Sequence, residues 1–152
     1  MFEGVPVSRL VDTRHELTAL IKQNLYGRGS KSEGQAALIA RNSLDNSIFG
    51  MTDDMLVKGT SANLAPLKRA IILETFAELM EILDDYSSRF GQGGNAVKQG
   101  MLAILSDPDV FGRYSAEQQT KIKAIAAGSS LFAKRRFDQL YLSIRKEAGR
   151  YI

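Results

Sequence analysis

Apolar residues recur along this chain at intervals of three, four and seven, the spacing of one face of an α-helix. Leu10, Leu17, Ile21 and Leu25 follow this rhythm and predict a first amphipathic helix over about Ser8–Tyr26. Gly27-Arg28-Gly29-Ser30-Lys31-Ser32 interrupts it, because glycine and serine clusters favour turns over continued helix. A second helix follows over about Glu33–Phe49, presenting Ala37, Leu38, Ala40, Leu44 and Ile48 and closing near Gly50. Thr52 can cap a short turn through Asp53–Lys58, whose leading carboxylates would complement a helix dipole.

The longest predicted helix starts after a cap at Ser61 or Asn63, with Pro66 tolerated in the opening turn. Ile72, Phe76, Leu79, Leu83, Tyr86 and Phe90 line one of its faces, and Glu74, Glu78, Glu81 and Asp85 line another. Gly91-Gln92-Gly93-Gly94 ends it. Asn95–Leu105 is apolar on most sides, through Val97, Met101, Leu102, Ile104 and Leu105, the mark of a helix central to a bundle. Gly100 weakens that helix by about 1 kcal/mol relative to alanine, which points to a close backbone approach. Asp107-Pro108 reads as a turn or a new helix start, and Ser115-Ala116-Glu117-Gln118 as a capping box. Ile122, Ile125 and Ala126 supply the buried edge of that helix until Gly128, and Ser129–Ile152 reads as a terminal amphipathic helix.

No segment alternates in the manner of a strand. The expectation is an all-α chain over 1–152: a single-domain bundle of six to seven helices, with a long central helix and a basic amphipathic helix at the C-terminus. At 152 residues, 44% hydrophobic and 24% charged, the composition is that of a globular domain. The absence of cysteine removes disulfides, thiolate metal sites and thiol catalysis. Met1–Pro6 lacks the basic and apolar regions of a secretory signal. The apolar runs fall well short of the roughly 20 residues a membrane span needs. A cytoplasmic location is the simplest expectation, or a virion for a viral assembly component.

Charge changes this picture most at the C-terminal end. Within Ser129–Ile152, six basic residues (Lys134, Arg135, Arg136, Arg145, Lys146 and Arg150) oppose only Asp138 and Glu147. The rest of the chain holds 14 basic against 15 acidic residues, so it is close to neutral. A local surplus of that kind is where a partner would be sensed.

Candidate chemistry is sparse. His15, the only histidine, stands beside Arg14 and Glu16, and no local constellation supplies the orienting carboxylate and nucleophile that a general base would need. The carboxylates Glu74, Glu78, Glu81 and Asp85 invite a metal reading, but di-iron bundles need Glu-x-x-His, and Glu78-x-x-Glu81 offers no histidine. A solvated face or a dock for a basic surface fits them better. Gly27–Ser32 lacks the spacing and the strand of a phosphate-binding loop, and Gly91–Gly94 lacks the strand of a dinucleotide site. Asp107-Pro108-Asp109 fails as a calcium loop, since Phe111 and Gln118 occupy ligand positions. No metal, cofactor or catalytic constellation is therefore expected, and a non-enzymatic role follows.

The terminal helix carries two faces. Ala133, Phe137, Leu140, Tyr141, Ile144 and Ala148 form a core stripe, and Arg135, Leu142, Lys146 and Arg150 fall opposite with Gln139. Lys134 can pair with Asp138 across one turn, and the basic end complements the helix dipole. Leu142 is an apolar residue where water is expected. The expectation is a helical protein–protein interaction or assembly subunit, a structural or adaptor component of a larger complex such as a virion or secretion machine. It would self-associate or join a multisubunit assembly by docking the acidic face (Glu74, Glu78, Glu81, Asp85) against a basic surface, with Arg135, Leu142, Lys146 and Arg150 as the complement. The alternative is a small helical nucleic-acid-binding or regulatory protein that grips phosphates through the same basic helix, aided by Arg28 and Lys31.

Overall fold

The computed structural model describes residues 7–25, 29–51 and 64–151. Among them are seven α-helices and no strand, so the fold is all-α: α1 Val7–Asn24, α2 Lys31–Phe49, α3 Leu64–Ser88, α4 Gly94–Leu105, α5 Pro108–Phe111, α6 Ala116–Ala127 and α7 Ser130–Ala148, followed by a 3-10 turn at Gly149–Tyr151. The expected caps Ser61 and Asn63, the turn Asp53–Lys58 with Thr52, and Tyr26, Gly27 and Arg28 lie outside the described residues. The chain divides into two compact units, Met1–Ile71 and Ile72–Ile152.

In the first unit α1 and α2 form an antiparallel hairpin. Arg14 on α1 meets Asp45 on α2, the Arg41 guanidinium donates to the Thr18 hydroxyl at 3.1 Å, and Ile21 and Leu25 pack with Ala37, so positions rise along one helix as they fall along the other. Leu10 and Ile48 pack with Leu64 and Ile71 in a second apolar cluster. The hairpin turn is held by Asn24, which is buried. Its amide donates to the Leu20 carbonyl at 2.9 Å, and its oxygen accepts from the Ser30 N–H at 3.1 Å. Ser30 in turn caps α2 by accepting from the Glu33 N–H. At Gly34 a Cβ would lie 2.6 Å from the Leu25 nitrogen, so only glycine lets the two helices meet there.

Ala37 and Ile48 occupy the buried face of α2 as expected, but Arg41 shares it and Ala40 is exposed. A buried arginine is tolerated because its guanidinium finds hydrogen-bond partners, as at Thr18.

The second unit is built around α4, which packs against α5, α6 and α7. Ala96, Val97, Gly100, Met101 and Ile104 are buried, while Leu102 is partly open to solvent. Gly100 seats α4 directly on α3: a Cβ there would lie 2.7 Å from the Ser87 Cα. On α3, Leu79, Ile82, Leu83 and Tyr86 are buried. Ile72 and Phe76 are only half-buried, and Phe90 departs from its expected place in the core. The helix stops at Ser88, and Gly91, at φ +105°, carries the chain out of helical geometry, so Phe90 is exposed. Asp107 starts α5 by accepting from the Asp109 N–H, with Pro108 in the first turn. The capping box of α6 is complete: Ser115 Oγ accepts from the Gln118 N–H at 3.2 Å, and Gln118 Oε1 from the Ser115 N–H at 3.0 Å. Ala133, Leu140, Ile144 and Ala148 on α7 are buried, with Phe137 and Tyr141 half-buried beside them.

Candidate functional site

Helical geometry turns successive residues by 100°, so the burial of Ala133, Leu140, Ile144 and Ala148 sends Leu131, Arg135, Leu142 and Lys146 to the opposite side of α7. All four are exposed: Leu131 at 80% and Leu142 at 58% of their possible surface, Arg135 and Lys146 also in the exposed class. Phe132, 49% exposed, Gln139 and Arg150 flank this line. Leu131 and Leu142 stand eleven residues apart, three helical turns or about 16 Å, and Arg135 and Lys146 repeat that interval. The outer face of α7 is thus a stripe in which leucines alternate with cations, and the exposed Asp138 lies within it between Arg135 and Leu142. Arg135, Leu142, Lys146 and Arg150 are where the sequence placed them; Leu131 and Phe132 were missed. The signal for Leu131 was present, since it shares the angular position of Leu142.

Two adjoining concavities run along the edge of this stripe. One, of about 210 Å³, is lined by Lys121, Ala124, Ile125, Arg136 and Gln139; the other, of about 290 Å³, by Phe132, Arg135, Arg136 and Gln139. No carboxylate lines either. Arg136 reaches across to α6, where its guanidinium donates to the Ala124 carbonyl near the end of that helix. Lys134 and Asp138, expected to pair, are both exposed.

The acidic side of α3 is less uniform than its spacing implied. Glu81 and Asp85 are exposed and Glu74 is half-buried, but Glu78 is buried in an ion pair with Arg113. Next to it the Tyr114 hydroxyl donates to the Leu79 carbonyl at 2.7 Å. The segment after α5 therefore docks on α3 through this pair, and Glu78 is a structural residue instead of a member of a solvated stripe. Asp84 joins the exposed edge in its place. Its carboxyl is pushed above the usual range, first by desolvation and then by the charge of Asp85, against a hydrogen bond with Tyr141 that lowers it. Residues 72–88 hold five carboxylates and no base, whereas residues 116–148 hold seven basic against three acidic side chains. The second unit as a whole is near neutral, with 11 basic and 10 acidic residues, and its charge is divided between elements.

Tyr86 marks a second titratable position of this unit. Its hydroxyl lies 3.4 Å from Asp107, and the Arg89 guanidinium sits 4.1 Å over its ring. Burial, followed by the negative charge of Asp107, raises its phenol above the ordinary value, although Arg89 opposes the shift. His15 is exposed on α1. Among the described residues, no three histidine, aspartate or glutamate side chains converge as a metal site would require, and no helix is long and apolar enough to cross a membrane. Compared with protein-family models, curated proteins and solved structures, this chain matches none.

Proposed function

We propose that this chain is a protein–protein interaction and assembly subunit that docks an acidic protein surface on the outer face of α7. The observation that carries this reading is the exposure of Leu131 and Leu142 on one line with Arg135 and Lys146. Covering a leucine side chain is worth about 1.5–3 kcal/mol, and the cations on either side set the sign of the surface that covers it. The charges chiefly govern orientation and association rate, the leucines affinity. A scattered exposed leucine needs no explanation, but two in register with alternating cations form a patch of defined shape.

The acidic edge of α3 offers a second surface of opposite sign, so one chain carries both halves of a complementary contact. Light scattering over a range of protein and salt concentrations tests the proposal. The expected result is a mass that rises with concentration and falls with added salt, and a loss of that rise on Leu142→Glu. The mass of one chain at every concentration and salt would sink it.

A second reading is nucleic-acid binding, favoured by the groove in which Phe132 stands with Arg135 and Arg136 and no carboxylate lines the wall. Aromatics among cations are the footprint of such surfaces. The five carboxylates of residues 72–88 and the near-neutral total of the unit count against it. Retention on a mixed-sequence duplex that weakens steeply with salt, and is lost on Arg135→Glu with Lys146→Glu, would favour this second reading over docking.

A further inference from the structure

Arg136 is the fixed point of the groove between α6 and α7. Its guanidinium donates to the Ala124 carbonyl, and a Cβ on Gly128 would lie 2.4 Å from its Nη1. The glycine at the α6–α7 turn therefore makes room for this arginine, and one hydrogen bond leaves most of its five N–H donors unspent. Lys121 on α6 and Gln139 on α7 line the same concavity, with Ala124 and Ile125 as its apolar lining. The adjoining concavity shares Arg136 and Gln139 and adds Arg135 and the exposed Phe132. At about 210 and 290 Å³, the two together reach the size of a small-molecule site, roughly 300–1,000 Å³.

Three cations thus line one groove, and no carboxylate lines it with them. Asp138 is exposed outside both concavities, two positions from Arg136, and residues two apart on a helix do not face one another. It can moderate Arg135, three positions away. Glu117 stands one turn before Lys121 but lines a separate cavity toward the start of α6. Like charges gathered without a counter-charge repel, and a bound anion relieves that repulsion. Guanidinium groups match the oxygens of phosphate or carboxylate. Three cations are balanced better by a phosphate dianion than by one carboxylate. Phe132 adds an exposed aromatic ring beside them, a surface that inorganic phosphate alone would leave uncovered.

We infer that the α6–α7 groove is a binding site for a phosphate monoester carried on an aromatic ring, with Arg136 and Lys121 on the phosphate, Arg135 at the rim and Phe132 against the ring. This role goes beyond the docking role of α7 and does not rest on it. A free aryl or nucleoside monophosphate and the phosphorylated end of a nucleic-acid strand share this chemistry.

The test is an NMR titration of the full-length chain, followed at the Gln139 side-chain amide, with phenyl phosphate, inorganic phosphate and benzoate as probes. Phenyl phosphate should bind saturably and about tenfold or more tightly than either of the others. Variants are first shown by circular dichroism to keep the helix content of the parent. Phe132→Ala should bring phenyl phosphate down to the affinity of inorganic phosphate. Arg136→Gln with Lys121→Gln should weaken it by about tenfold or more. Lys134→Gln, which removes a charge from α7 outside the groove, should leave it unchanged. A 5′-phosphorylated oligonucleotide that binds more tightly than phenyl phosphate assigns the site to strand ends, and one that binds more weakly assigns it to free monoesters. Equal binding of benzoate, inorganic phosphate or an unphosphorylated oligonucleotide would overturn the inference, as would an equal loss on Lys134→Gln or the absence of a saturable shift in the parent.

Discussion

Gly100→Ala sets two effects of opposite sign against each other at one atom. Alanine favours a helix interior over glycine by about 1 kcal/mol, so on an isolated α4 the change would stabilise. In the folded unit the added Cβ would sit 2.7 Å from the Ser87 Cα and 2.8 Å from the Ser87 nitrogen. Carbon pairs prefer about 3.5–4.0 Å, so α4 and α3 must separate by roughly 1 Å. The obstacle is backbone inside a helix, which cannot swing aside as the tip of a long side chain can. Overpacking of this kind costs about 1–3 kcal/mol, and Met101 and Ile104, fully buried on the same helix, would lose contact as it moves. The clash wins, and the net expectation is a loss of about 1–2 kcal/mol. Gly149→Ala is the internal control, because a Cβ there meets nothing within 4 Å and the residue has helical φ and ψ. Urea unfolding followed at 222 nm should show a lower midpoint for Gly100→Ala and a parental or slightly higher one for Gly149→Ala. A Gly100→Ala variant as stable as the parent would refute the close approach of α4 to α3.

Four further outcomes follow from the geometry. Glu78→Ala takes the carboxylate from the Arg113 guanidinium, which is largely buried, and should cost about 3–5 kcal/mol by urea unfolding. Exchange of both residues for apolar ones of similar volume should cost much less, and equal losses would show the pair to be unimportant. Ser115→Ala removes one half of the α6 capping box and should lower stability by about 1 kcal/mol, read from the same unfolding curves. Tyr86 has a phenol raised above 10.0, so its contribution to stability is complete below that value and lost as pH rises through its folded value. In an alkaline absorbance titration, Tyr86→Phe should remove one phenol that ionises above the ordinary value; an unchanged high-pH limb would refute the shift. Asp84 follows the same sign at the acid end. Its raised carboxyl supports the fold when protonated and loses that support as pH rises through its folded value, so Asp84→Asn should stabilise at neutral pH and make no difference well below 3.8.

Local signals account for most of what was legible in the chain alone. The 3.6-residue rhythm placed the helices, and side chains acting within three residues of themselves placed several of their ends. Ser115 and Gln118 form their box from adjacent backbone, and Asp107 with Pro108 starts α5 in the same way. The core stripe of α7 and the exposure of Leu142 opposite it were readable for a similar reason. A long helix with one strongly apolar side has little choice about which side it buries.

Only the tertiary structure decided which polar residues go inside. Arg14 is buried because Asp45 waits 31 positions away, Arg41 because Thr18 does at a distance of 23, and Glu78 because Arg113 does at 35. A charge leaves water only where a distant segment supplies its partner, and periodicity along one helix carries no record of that segment. For this reason the acidic spacing on α3 looked like four equivalent carboxylates, when one of them is a structural ion pair and Asp84 belongs to the exposed edge. The same limit applied to Leu131 and Phe132. Their position on the wheel followed from the sequence, but their exposure depends on which side of α7 the neighbouring helices leave open, and packing alone determines that.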